Sequence, residues 1–258
     1  MEKKYIFIDL DGTIIDHKTN EAPQSTIDAI KELKNNGHEV FIATGRPPCL
    51  FFDIDKKLNI DSYVAANGRL SVYKNEVVFS DPLDRKVVNE FTTIMNGMGF
   101  DVGYETIDDY FVESKMTKNV DLFSDVFHLY YPEIKKGKYK GEDIFQMILY
   151  IEKKDFNRAV EAYNGVNYSI SNRYGVDVND KSGLKDIGIK ALIEHLGITV
   201  DDCIAVGDGF NDISMIEYVG YGIAMGNAND ILKSKADYVT DTVSNNGLYK
   251  AFKYLKMI

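Results

Sequence analysis

The chain has 258 residues, 45% apolar and 27% charged, with a net charge of −10 and a sequence pI near 4.9. This suits a globular protein large enough for one big domain or a domain that carries an insertion. The acidic excess argues against DNA, RNA or an anionic membrane surface as the main partner, because phosphate backbones are held by clustered Lys and Arg. A small phosphate ester needs only a local cation or two and is not excluded.

In chain order, Met1-Glu2-Lys3-Lys4 leads directly into a short strand, residues 5–9, which read as a continuous apolar run covered on both faces. The run is too short to span a membrane, and polar residues follow with no cleavage-site pattern. A cytoplasmic location without an obligate protein partner is therefore expected. Ser25 with Asp28 resembles a capping box. Ile27, Ile30 and Leu33 follow helical spacing to a stop at Gly37. Residues 39–44 form the next buried strand, and this strand–helix–strand order implies a parallel pair with a right-handed crossover. Residues 63–66 predict another strand, ending at Asn67-Gly68, and 70–79 a hairpin around Lys74-Asn75-Glu76.

The middle changes character. It reads as helix 86–97, strands 100–104 and 110–113, helix 117–129, strand 145–151, helix 155–163 and strands 168–174 and 176–178. Strands that pair instead of alternating with helices predict an α+β unit. Alternation then returns with helix 185–196, strand 203–207, helix 211–218, strand 221–225, helix 229–234, strand 238–240 and a last helix from Leu248. The expected fold class is α/β: a Rossmann-like parallel sheet core with helices on both faces over 1–81 and 180–258, plus an inserted α+β cap domain over 82–179. Cys49 and Cys203 form no CxxC pair, so neither a disulfide framework nor a zinc pattern is readable.

Polar residues cluster where the core strands end. Asp9 and Asp11 follow the first strand, and residues i and i+2 of a strand share a face. Two carboxylates that close disfavour each other's ionisation unless a cation intervenes, and oxygen ligands suit Mg²⁺. Thr44-Gly45-Arg46 ends the second strand, and Gly207-Asp208-Gly209-Phe210-Asn211-Asp212 ends the strand from Cys203. Lys185 opens a helix that begins at the same rim. Singly, Thr44-Gly45 reads as a turn and Lys185 as a solvated helix residue. Together they fall where ligands bind in open parallel sheets, beyond the carboxyl ends of the strands.

These residues resemble the four motifs of the haloacid dehalogenase-like hydrolase superfamily, and within it the Cof-type phosphatases with a cap of the IIB kind. Asp9-Leu10-Asp11-Gly12-Thr13 matches the first motif, Thr44-Gly45-Arg46 the second, Lys185 with Gly188 the third, and Gly207 to Asp212 the fourth. Asp186 stands where the family often has Gly, which leaves Lys181 and Lys190 as alternatives to Lys185. The resemblance implies a Mg²⁺-dependent phosphatase acting on small phosphate monoesters through an aspartyl-phosphate. Asp9 would be the nucleophile and Asp11 the general acid and base. Asp9, Asp208 and the backbone carbonyl of Asp11 would hold the metal. The Leu10 and Gly45 amides, Thr44, Lys185 and Asn211 would hold the phosphoryl group. Asp212 would orient Lys185 or a metal-bound water, and Arg46, Asn67 and Gly68 are candidates to reach the substrate. Sugar phosphates are the first expectation for substrate. Alternatives are a hexose-phosphate phosphomutase or phosphotransferase, a flavin or nucleotide phosphate phosphatase, and a non-catalytic phospholigand-binding protein.

Overall fold

The computed structural model of the chain describes residues 2–127, 130–180 and 184–258. They divide into two compact units. One comprises Met1–Arg46, Phe51–Ser80 and Leu184–Ile258, and the other Pro47–Leu50 and Asp81–Gly183.

The first unit begins with strand β1 (Tyr5–Ile8), helix α1 (Gln24–Asn35), strand β2 (Glu39–Ala43), the short helix α2 (Ile54–Leu58), and strands β3 (Tyr63–Ala65), β4 (Leu70–Tyr73) and β5 (Glu76–Ser80). The inserted unit follows with α3 (Arg85–Gly97), β6 (Asp101–Glu105), β7 (Tyr110–Val112), α4 (Asn119–Phe127), β8 (Glu133–Ile134), β9 (Gln146–Tyr150), α5 (Phe156–Ala162), β10 (Asn167–Asn172) and β11 (Gly175–Asn179). The chain returns to the first unit through α6 (Lys185–Leu196), β12 (Cys203–Gly207), α7 (Ile213–Tyr218), β13 (Tyr221–Ala224), α8 (Asp230–Lys235), β14 (Tyr238–Val239) and α9 (Gly247–Tyr254).

The first unit's sheet runs β14-β13-β12-β1-β2-β3-β4-β5. The six strands from β14 to β3 are parallel, and β4 and β5 extend the edge as an antiparallel hairpin. β1 lies near the centre, with Ile8 opposite Val206 and Ile42, so everything at its carboxyl end is flanked by the ends of β12 and β2. One sheet face packs Phe7, Phe41 and Ala205 against Ile189 and Leu192 of α6, Met215 of α7 and Leu232 of α8. On that face the rings of Phe7 and Phe41 stack at 4.8 Å. Alternation puts Ile6 and Ile8 on the other face, where they too are fully buried.

In the inserted unit the sheet order is β10-β11-β9-β6-β7-β8, antiparallel except for β7 with β8. Val88, Phe91 and Met95 of α3 pack on one face with Val102, Tyr104 and Met147. The other face carries Tyr110, Ile148 and Tyr150, covered by Val120 and Phe123 of α4 and by Leu50. That last contact explains why Pro47–Leu50 groups with this unit although it lies in sequence within the other.

One local reading changes, and two short elements have no counterpart in the sequence reading. The capping box at Ser25 does not form: α1 starts at Gln24 with Pro23 as its N-cap and no side-chain cap. Ser25 is thus already inside the helix, and its hydroxyl donates to Asn246 instead. Helix α2 has five residues and strand β8 two, both too short for periodicity to reveal. No helix among the described residues is long and apolar enough to cross a membrane.

Candidate active site

The rim of the first unit's sheet gathers the side chains that the strand-end rule brings to notice. Asp9 follows β1 directly, and its amide donates to the Val206 carbonyl at 2.9 Å. Asp9 as a whole is only 5% exposed. Lys185, at the start of α6, is completely buried. Its Nζ donates to Asp9 Oδ1 at 2.6 Å, to Asp212 Oδ1 at 2.5 Å and to the Ala43 carbonyl at 2.8 Å. All three ammonium donors are thereby used. Gly68, with φ +93°, allows the chain past β3 to come against the start of α6: a Cβ there would stand 2.1 Å from the Leu184 carbonyl oxygen. Gly68 is thus needed where α6 begins, which is where Lys185 sits. Lys190 lies out on α6 within 4.0 Å of Glu194, and Lys181 lies outside the described residues.

Asp212 is fully buried. Its Oδ2 accepts from the amides of Asp208 and Gly209 at 2.9 and 2.8 Å, while Oδ1 accepts from Lys185. It therefore closes the Asp208 loop onto the lysine. Asp208 itself accepts from the Thr13 hydroxyl at 3.3 Å on Oδ1 and from Asn227 Nδ2 at 3.0 Å on Oδ2. Gly12 is required beside it: at φ +89° it turns the chain, and a Cβ there would lie 2.3 Å from Asp208 Oδ2.

Asp11 does not share the position of Asp9. Both residues lie beyond Ile8, the last residue of β1, so the same-face rule for strands no longer governs them. The Asp11 carboxylate is held by the guanidinium of Arg46, with Nε donating to Oδ2 at 2.8 Å and Nη2 to Oδ1 at 2.5 Å. This bidentate pair is partly exposed. Thr44 is buried and its Oγ1 accepts from the Arg46 amide at 3.1 Å. Asn67, in the left-handed region at φ 53°, accepts from Asn211 Nδ2 at 3.0 Å, and a Cβ on Gly45 would be 3.0 Å from the same Asn67 oxygen.

Among the described residues, Asp9, Asp208 and Asp212 offer carboxylate oxygens within 4.8 Å of one another. Asp212 is already engaged by an ammonium and two amides, so Asp9 and Asp208 are the carboxylates with capacity for a cation. An all-oxygen donor set fits a hard divalent ion. The electrostatics point the same way. Burial, then the charge of Asp212, pushes the Asp9 carboxyl well above the usual range against the pull of Lys185. Asp208 is pushed up to about 6 by burial and by Asp212. Burial opposes the Lys185 charge, but Asp212 and then Asp9 overturn it and keep the ammonium protonated. One buried lysine among these carboxylates leaves an excess of negative charge that a divalent cation would offset.

Two features were missed from sequence. The Arg46–Asp11 pair joins residues far apart in the chain. Asn227 follows β13 at the same rim as the other clusters, and the strand-end rule applied once more would have found it. The tyrosines of the insertion divide: Tyr104 and Tyr110 are buried in its two packed faces, bonded to Thr92 and Tyr150 respectively, whereas Tyr130 and Tyr131 are exposed. His128 lies outside the described residues.

The chain belongs to the haloacid dehalogenase-like hydrolases, a family that matches residues 6–252. It is 35% identical over its full length to the whole of a Bacillus subtilis protein named "Putative phosphatase YkrA". Among solved structures it resembles a hypothetical protein of Geobacillus kaustophilus at TM-score 0.94 and 33% identity, with both chains fully covered. It also resembles the HAD subclass IIB sugar phosphatase BT4131 at TM-score 0.81 and 29% identity, over 99% of this chain and 100% of that one.

Proposed function

We propose that this protein is a Mg²⁺-dependent phosphatase that hydrolyses small phosphate monoesters, sugar phosphates first among them, through an aspartyl-phosphate on Asp9. The carrying observation is the buried Asp9, placed against Lys185 and within cation-sharing distance of Asp208. The phosphatase names of its relatives support the reaction class, and the sugar phosphatase among them supports the substrate class.

In this reading an Asp9 oxygen attacks phosphorus, the bond from phosphorus to the ester oxygen breaks, and Asp11 delivers a proton to the leaving alcohol. Water then attacks the acyl phosphate while Asp11 takes its proton, releasing inorganic phosphate and restoring Asp9. In the structure Arg46 holds the Asp11 carboxylate by a two-pronged contact; in this reading that contact opens before Asp11 takes up the proton it delivers. Lys185 supplies positive charge beside the nucleophile. Thr44, Asn211 and the amides of Leu10 and Gly45 border the phosphoryl position. Asp9, Asp208 and the Asp11 carbonyl would hold Mg²⁺, which offsets the repulsion between an anionic nucleophile and a phosphate dianion. In this reading the inserted unit corresponds to the cap domain, the part that selects the leaving group.

The test is release of inorganic phosphate from p-nitrophenyl phosphate and from panels of sugar, nucleotide and flavin phosphates, with Mg²⁺ and with EDTA. Metal-dependent release, fastest on sugar phosphates, is expected. No release from any substrate in the presence of Mg²⁺ overturns the proposal.

A further inference from the structure

We infer that Asn227 is a positioning residue that sets the Asp208 carboxylate for the divalent cation; the inference rests on the phosphatase reading above. Asn227 belongs to Gly226-Asn227-Ala228-Asn229, the turn between β13 and α8. Its Nδ2 donates to the Gly12 carbonyl at 2.8 Å and to Asp208 Oδ2 at 3.0 Å. Its Oδ1 accepts from the Val243 amide at 3.0 Å. The amide has two N–H groups and meets two acceptors, and its oxygen meets a backbone donor. Only one of the two amide orientations satisfies all three, so the orientation is fixed by the network.

These contacts tie three separate loops together. Gly12 belongs to the turn after Asp9 and Asp11, Asp208 to the loop after β12, and Val243 to the segment after β14. Asn229 adds a second hold on the same residue, its Nδ2 donating to the Asp208 carbonyl at 3.4 Å while its Oδ1 accepts from the Leu232 amide. Asp208 is thus gripped at its backbone by Asn229 and at its side chain by Asn227 and Thr13. Asp9 has its own partner in Lys185, but the Asp208 side chain has no cationic partner among the contacts described. Its geometry rests on neutral donors, which fix a carboxylate without neutralising it. A carboxylate held in this way keeps its charge for the ion, as hydrogen-bonded partners of metal ligands do elsewhere, where their loss costs about 10–100-fold in metal affinity or activity.

The test measures Mn²⁺ binding in the absence of substrate, by electron paramagnetic resonance of the free ion, for the wild type and Asn227→Ala. Thermal melts followed by circular dichroism in EDTA report the fold. The expected result is Mn²⁺ affinity lowered about 10–100-fold, with a melt in EDTA close to wild type. Should Asn227→Ala not fold, Asn227→Ser is the substitute, since it keeps a polar side chain at this exposed position. Equal affinity in wild type and variant overturns the inference, and so does a lowered melt with unchanged affinity, the outcome for a purely structural residue. Absence of Mn²⁺ binding by the wild type overturns the metal reading of the site itself, and the inference with it.

Discussion

Lys185 Nζ stands 2.6 Å from Asp9 Oδ1 although 176 residues separate the two in the chain. Nothing local holds them together. The contact exists because β1 is a central strand and α6 begins at the rim where that strand ends. Replacing Lys185 by Met should leave Asp9 and Asp212 buried without their shared cation. Breaking one partner out of a buried charge set costs about 3–5 kcal/mol. Urea unfolding should show a loss of that order. Phosphate release should fall at least about 10²–10³-fold, the cost of removing one charge-stabilising donor. A variant as stable and active as the wild type would refute the role assigned to the lysine.

Asp9→Asn separates chemistry from stability. The amide oxygen can still accept from Lys185, and Lys185 keeps Asp212. A neutral amide is also easier to bury than a carboxylate pushed toward protonation by its surroundings. Turnover should vanish while the unfolding midpoint stays equal or rises. Near-normal turnover would rule out Asp9 as the nucleophile.

Gly12→Ala places a methyl 2.3 Å from Asp208 Oδ2 on a backbone at φ +89°. The backbone strain alone is worth about 1–2 kcal/mol, and the clash must push Asp208 aside. Stability should drop by at least that amount, and the Mg²⁺ concentration for half-maximal activity should rise. Unchanged metal dependence would show that Asp208 is not where the ion sits.

His38 gives a pH dependence remote from the chemistry. It is 4% exposed, and its Nδ1 accepts from the Lys4 amide at 3.1 Å. Burial, helped by the charge of Lys4, lowers its pKa below the usual 6.5. The unfolded chain therefore takes up this proton more readily than the folded one. The contribution to stability is present above pH 6.5 and is lost as pH falls through the lower folded value. His38→Asn retains an acceptor but no titration, so urea unfolding at pH 7.5 and pH 5 should show a smaller difference in this variant than in the wild type.

The strand-end clusters were legible because period, turn residues and charge agreed: a buried apolar run that stops in carboxylates is a local pattern. The helix starting at Lys185 and the strand Cys203–Gly207 were read with the bounds they have in the structure. Relations among side chains beyond the strand ends were not legible. Asp9 and Asp11 read as neighbours on one face, yet Asp11 turns to Arg46 because the strand stops at Ile8. Ser25 read as a cap, yet the helix had already begun at Gln24.

Covalent order along the chain determined which residues could reach the rim, since a parallel α/β alternation sends every strand's carboxyl end to the same side. Which of them meet was decided only by folding. The seating of Lys185 between two acids, the grip of Arg46 on Asp11 and the hold of Asn227 on Asp208 each depend on loops whose approach is set by packing across the sheet. Hydrogen bonds act over about 3 Å, and no pattern of spacing along a sequence specifies distances that short between segments so far apart.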